Sequence, residues 1–234
     1  MTSSRLPGKV MLPVVGKPML EHLFCRLQAV PSLDGIVLAT TTNPVDDVLV
    51  TLADHLGIMV FRGSEENVLE RVIGAAEIAK ADVVVEITGD CPIIDPDIVE
   101  QTIQMFLHHE VDYVSNCDIR SYPDGMDTQV FSLDVLKRSA AMTRDRLDQE
   151  HVTLPIRRHP NIFSKVHLIA PPSLYWPDLG LTLDEKDDYL FIKMIFDEIG
   201  DENVLFGCGD ILNLLRHKPE LLAINREVRR KGDA

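Results

Sequence analysis

A chain of 234 residues with 45% hydrophobic content can bury a sizeable core, and it contains no apolar run of the roughly 18 residues that a membrane span needs. Its formal net charge of −14, with no basic patch, excludes an ordinary duplex-binding protein. Any anionic ligand must therefore be met by a few local cations, or by a metal held on carboxylates. The cysteines Cys25, Cys91, Cys117 and Cys208 are far apart and form no C-x-x-C pair, which suits reduced thiols in a cytoplasmic protein. The first residues are polar and lack the apolar stretch of a signal peptide, so neither a leader nor a membrane partner is expected.

In chain order, Pro18 stands where a helix can begin, and Met19, Leu20, Leu23, Phe24, Leu27 and Val30 recur at helical spacing. Residues 36–39 form a short buried strand. A helix over 45–56 is closed by Gly57, and 58–61 is a second strand. Residues 68–79 are helical, 83–87 form the most apolar strand, and 96–109 make an amphipathic helix with Asp95 as its N-cap. Short apolar strands separated by helices predict an α/β fold: a mainly parallel sheet with helices on both faces. After Val111 the rhythm becomes less regular, with strands over 111–115, 128–131, 165–169 and 179–183 and helices over 187–199 and 211–226. No linker interrupts the chain, so residues 1–234 are read as a single domain.

Three stretches carry chemistry. In Thr2-Ser3-Ser4-Arg5-Leu6-Pro7-Gly8-Lys9, Arg5 can fork onto phosphate oxygens and Lys9 adds a point charge. Ser3, Ser4 and the Gly8 backbone can donate to the same anion; the plain alternative is a polar tail. In Ile87-Thr88-Gly89-Asp90-Cys91-Pro92, a carboxylate follows the most apolar strand, where open α/β sheets bind ligands. Asp90 could hold Mg²⁺ there, or only cap a turn. In Leu181-Thr182-Leu183-Asp184, a second strand ends on an aspartate that is either another metal ligand or a helix cap.

These stretches, with "VFRGSEENVLER" (60–71), "YPDGMDTQVFS" (122–132), "EHVT" (150–153) and "LTLDEKDD" (181–188), resemble the sugar-acid cytidylyltransferase superfamily. The nearest group is that of the spore coat polysaccharide biosynthesis protein F; cytidylyltransferases for 3-deoxy-manno-octulosonate and acylneuraminate are more distant. The resemblance implies a Rossmann-like nucleotide-diphospho-sugar transferase fold. It implies an enzyme that transfers CMP from CTP to a sugar acid, releases pyrophosphate and serves surface polysaccharide synthesis, with Mg²⁺ on Asp90 and Asp184. Arg5, Lys9 and Asp90 then carry the reaction. Ser3, Ser4, Arg5, Gly8, Lys9, Arg62, Asn67, Arg71 and Thr88 would bind the nucleotide. Tyr122, Gly125, Gln129, Glu150 and His151 would line the acceptor pocket. Residues 1–110 become the nucleotide half and 111–234 the acceptor half.

Two departures from the family pattern stand out. Relatives commonly carry a glutamate where this chain has Gln129. Met1 aligns with a methionine that follows the family's first strand and an arginine, so that strand is expected to be missing and two neighbouring strand edges to be left unpaired. Two other functions compete: a nucleotide-sugar-dependent glycosyltransferase, for which Asp95-Pro96-Asp97 has the metal-motif spacing, and a non-catalytic nucleotide-binding protein. Nucleic acid is not an expected partner, and assembly as a homodimer is left open.

Overall fold

The computed structural model describes residues 1, 3–200 and 205–229. A 3-10 turn over Lys9–Met11 leads into a small antiparallel hairpin of β1 (Pro13–Val14) and β2 (Lys17–Pro18), which turns through Val15 and Gly16 at positive φ. Helix α1 (Met19–Gln28) follows, with Pro18 as its N-cap rather than its first helical residue, and it buries Met19, Leu20, Leu23, Phe24 and Leu27. Strand β3 (Val37–Thr41) pairs in parallel with β4 (Met59–Gly63). The crossover between them is a 3-10 turn over Pro44–Asp46 and helix α2 (Asp47–His55), closed by Gly57 at φ 68° as the sequence predicts. Helix α3 (Val68–Ala79), strand β5 (Val83–Glu86) and helix α4 (Pro96–Leu107) complete the first half.

The second half adds β6 (Tyr113–Ser115), β7 (Gln129–Ser132), α5 (Leu133–Ala141), α6 (Arg146–Glu150), α7 (Leu154–Arg158) and β8 (Lys165–His167). Helices α8 (Lys186–Ile199) and α9 (Cys208–His217) then lead to a 3-10 turn over Pro219–Ala223. The larger sheet has the order β5-β7-β6-β8, with β7 antiparallel to both neighbours and β6 parallel to β8. The sheet is therefore mixed: β5, β6 and β8 share one direction and β7 alone runs against them. A parallel strand needs a crossover, usually a helix, and residues 116–128 contain none, so β7 must enter from the opposite direction.

Residues 179–183 do not form the expected strand. Their backbone groups bond to loops instead: Leu181 N–H donates to Asp124 O at 2.7 Å and Leu183 N–H to Asp90 O at 2.8 Å, with one isolated bridge between Asp124 and Gly180. The expected helix over 211–226 begins earlier, at Cys208, and breaks at Lys218 before Pro219, which cannot continue it. No ladder joins β3 to β5 among the described residues; each is paired on one side only, and their side chains are mostly half-buried. Met1, Val10 and Met11 pack against the cluster that β3 and β5 share with α1 and α4.

Side chains alternate across β7. Val130 joins the cluster beneath α1 and α4, while Phe131 faces Tyr113, Leu136, Ile156 and Phe163 on the opposite side. A third cluster ties Met19, Ile93, Met126, Leu181 and Leu183 to α8 and α9. Beside it, Arg26 is 1% exposed; its guanidinium donates to Phe206 O at 2.8 Å and lies 4.3 Å from the Phe206 ring centroid.

Gly125 sits where the 179–183 segment crosses the 122–128 loop. Its φ is 104°, and a Cβ there would lie 2.8 Å from the Leu181 carbonyl carbon. Gly125→Ala is therefore expected to destabilise the fold by about 1–3 kcal/mol. Urea unfolding reads this directly, and an unchanged midpoint would show that the crossing is not close-packed.

Candidate active site

The loop before Lys9 closes on itself: Gly8 N–H donates to Met1 O at 3.1 Å, and Gly8 adopts the left-handed conformation at φ 69°. This aims Lys9 at Asp90, beyond β5, and both Lys9 and Arg5 at Asp184, before α8. Lys9 Nζ lies 3.2 Å from Asp90 Oδ2 and 3.1 Å from Asp184 Oδ1. Arg5 contacts the same Asp184 oxygen at 2.8 Å, reaches Glu185 at 3.4 Å and donates to Arg229 O at 2.9 Å.

Each aspartate is steadied by a threonine two residues before it. Thr88 Oγ1 donates to Asp90 Oδ1 at 2.6 Å, and Thr182 Oγ1 donates to Asp184 Oδ2 at 3.2 Å. The Leu183–Asp90 backbone bond ties the two ends together. Buried Asp188 accepts the Asp184 and Glu185 amides at 3.1 and 2.9 Å, which fixes the start of α8. Burial alone would raise the pKa of Asp184; the charges of Lys9 and Arg5, with the lysine and Thr182 hydrogen bonds, outweigh it and hold the carboxyl below its ordinary range. A cleft of about 350 Å³ opens beside this arrangement, lined by Met1, Ser3, Gly8, Lys9, Val10, Arg71, Thr88, Gly89 and Asp90.

The remaining expected site residues divide. Ser3, Gly8, Thr88 and Arg71 line the cleft, although Arg71 also donates to the Ala39 and Ser64 carbonyls. Ser4 is exposed on the same loop. Arg62 is occupied elsewhere, donating to Thr41 O at 2.8 Å and Asn43 O at 2.9 Å and pairing with Asp47 at 2.6 Å. Asn67 caps α3, accepting the Glu70 amide at 3.0 Å. Tyr122 is a core residue at 4% exposure, and Gly125 serves the close crossing described above. Gln129 spends its amide on Glu86, Tyr113 and Thr153. Glu150 and His151 are exposed at the end of α6. Asp95 accepts the Asp97 and Cys208 amides at 2.8 and 2.6 Å, so the Asp95-Pro96-Asp97 spacing serves a helix start.

Sequence reasoning missed Glu86, Asp124 and Asp127, acids that surround Asp90. Desolvation is the main cause that pushes Glu86 up to about 7, with Asp127 and Asp90 adding to it against Arg157. Desolvation, Asp124 and Asp90 push Asp127 up to about 7 against Arg120 and Arg157. The recurrence of Thr-x-Asp at 88–90 and 182–184 was a readable signal for the supporting threonines.

A family model described as "Cytidylyltransferase" matches residues 1–198. The chain belongs to the cytidylyltransferase family. This cytidylyltransferase is 34% identical, over 97% of its own length and 95% of the relative's, to the spore coat polysaccharide biosynthesis protein SpsF of Bacillus subtilis. Among solved structures, a cytidylyltransferase from Leptospira borgpetersenii superposes with a TM-score of 0.91 at 27% identity, covering 98% of this chain and 95% of that one. A CMP:2-keto-3-deoxy-manno-octonic acid synthetase complexed with CTP shares the fold at a TM-score of 0.60 and 18% identity, covering 84% and 94%. The architecture is thus that of nucleotidyltransferases of the nucleotide-diphospho-sugar transferase type. Among the described residues, no helix is long and apolar enough to cross a membrane.

The raised carboxyls set a pH dependence. Unfolded, Glu86 and Asp127 release their protons near about pH 4; folded, they keep them up to about 7. Their contribution to stability is therefore complete below about pH 4 and is lost as pH rises through about 7. Asp184 has the opposite sign, since its depressed pKa affects stability only at acid pH. The urea midpoint is expected to fall between about pH 4.5 and 8, and the double variant Glu86→Gln/Asp127→Asn is expected to flatten that slope. Superimposable pH profiles for the variant and the parent would refute this assignment.

Proposed function

We propose that this cytidylyltransferase transfers CMP from CTP to a sugar acid, with release of pyrophosphate, in the synthesis of a surface polysaccharide. The observation that carries the reading is the convergence of Arg5 and Lys9 on Asp90 and Asp184 at the mouth of a cleft built from the N-terminal loop and the Thr88–Asp90 turn. In a protein of net charge −14, these are the cations positioned to receive a triphosphate. In this reading residues 1–110 supply the nucleotide half and 111–234 the acceptor half.

The donor set fits Mg²⁺. Among the described residues no cluster of three or more His, Cys, Asp or Glu forms a closed metal cage, whereas Asp90 and Asp184 reach the same ammonium from two sides. Mg²⁺ commonly takes one or two carboxylates and completes its shell with phosphate oxygens and water. Held by Asp90 and Asp184, it would neutralise charge on the phosphates. Arg5 and Lys9 would turn to the phosphate oxygens, and the Ser3 hydroxyl and Gly8 backbone would border them. The acceptor's hydroxyl oxygen would bond to the α-phosphorus as the α–β anhydride bond breaks; pyrophosphate leaves, the hydroxyl proton passes to solvent, and no protein nucleophile is needed. Positioning and charge neutralisation carry the rate.

The test is pyrophosphate release, screened with four nucleoside triphosphates against sugar acids and sugar phosphates. Asp90→Asn is expected to lower kcat by about 10²–10³ with the fold intact. Arg5→Ala and Lys9→Ala are expected to weaken CTP binding about tenfold or more by calorimetry. Near-wild-type turnover of Asp90→Asn, or unchanged CTP affinity in both loop variants, would sink the reading.

A further inference from the structure

After α9 the 3-10 turn over Pro219–Ala223 brings Leu221, Leu222 and Ile224 against the cluster of α8 and α9. A further turn follows, in which Val228 N–H donates to Asn225 O at 3.1 Å. This turn comes back to the active site. Asn225 is buried, and its Nδ2 donates to Gly180 O at 3.2 Å and to Asp188 Oδ1 at 3.0 Å. Gly180 and Asp188 stand four residues before and four residues after Asp184. One side chain thus grips the backbone's course on both sides of that aspartate. At the end of the same turn, Arg229 O accepts from Arg5 at 2.9 Å, the guanidinium that also contacts Asp184 at 2.8 Å.

Asp188 stands in the middle of this arrangement. It is fully buried, and a carboxylate so placed needs hydrogen bonds in place of the water it has lost. Its Oδ2 accepts the Asp184 and Glu185 amides at 3.1 and 2.9 Å, and its Oδ1 accepts the Asn225 amide. Hydrogen bonds to a carboxylate are the stronger kind. The neighbouring 179–183 segment has no ladder to fix it, only loop contacts and the bridge from Gly180 to Asp124. The place of Asp184 therefore depends on such individual bonds. A staple for the C-terminal turn alone would need one anchor; Asn225 divides its amide between the two flanks of Asp184.

Building on the nucleotidyl-transfer reading, we infer that Asn225 is a positioning residue for the phosphate and metal side of the site. Through Gly180 and Asp188 it fixes Asp184 where Lys9, Arg5 and a Mg²⁺-triphosphate meet. It touches neither the nucleotide nor the metal. Asn225 lies beyond residues 1–198, which match the family model, so this support for the aspartate comes from outside the matched span.

The experiment uses the whole chain. Asn225→Leu keeps close to the size of the side chain and removes its donors. By calorimetry, the variant's affinity for CTP is expected to fall about tenfold with Mg²⁺ present and to change less than about twofold in EDTA, the scale of losing an outer partner of a metal ligand. By hydrogen exchange, the Asp184 and Glu185 amides are expected to lose protection about tenfold while those of α9 keep theirs. Unchanged affinity with Mg²⁺, or an equal loss with and without it, overturns the inference, and so does unaltered exchange at Asp184 and Glu185. If wild type binds CTP and the Asp90→Asn loss stands while Asn225→Leu behaves as wild type, this inference alone falls. A wild type that binds no CTP removes the nucleotidyl-transfer reading and this inference with it. Should Asn225→Leu not fold, the wild-type Asn225 side-chain amide resonances must shift when Mg²⁺ is added to the CTP complex; no shift overturns the assignment.

Discussion

The ammonium of Lys9, set between the carboxylates of Asp90 and Asp184, holds together two acidic turns that would otherwise repel. Five acids (Glu86, Asp90, Asp124, Asp127 and Asp184) converge on this edge of the molecule, and desolvation sharpens their mutual repulsion. The outcome differs from one side to the other. Asp184, against Lys9 and Arg5, stays readily ionised, while Glu86 at the end of β5 and Asp127 in the loop before β7 hold protons until about pH 7. One edge of a strongly acidic protein thus contains an anion-neutralising side and a hydrogen-bonding side. Neutralising the first with a triphosphate and a cation would alter the field felt by the second.

The backbone makes that proximity possible. The 179–183 segment satisfies its amides on Asp124 and Asp90 rather than in a ladder, which brings Asp184 beside Asp90 without a strand between them. Gly125 permits the crossing because no Cβ fits against Leu181. Asp188 then captures two amides at the start of α8, so the same aspartate-rich stretch both points Asp184 inward and begins a helix. Of the two readings weighed for Asp184, the helix cap falls instead to Glu185 and Asp188, and the metal ligand belongs to the proposed function.

What was legible in the sequence was what is local. Helix α3 is read to its ends, 68–79, because its apolar period lies within one short stretch; its Asn67 cap and its left-handed exit at Lys80 are seen only in the structure. The Thr-x-Asp turns are local too, and so are the charges of the first loop. The parallel-sheet expectation departs at β7, because strand direction depends on the connection over 116–128, whose lack of a helix is a property of the folded loop. Arg62 and Asn67 matched a family pattern, but the structure occupies them with the Thr41–Asn43 carbonyls and the first turn of α3. The alignment of Glu86, Gln129, Ser115 and His167 in one row across the larger sheet was not legible at all. Its members come from four strands, and only the register aligns them.

That register also bears on Gln129, which pairs with Glu86 across the ladder. A carboxylate at this position would face Glu86 directly across the ladder, and like charges opposite one another are destabilising. The amide removes the conflict by donating to Glu86 while it accepts from Tyr113 and Thr153. Glutamine here therefore gives Glu86 a hydrogen-bond donor while the charges of Asp127 and Asp90 act on it.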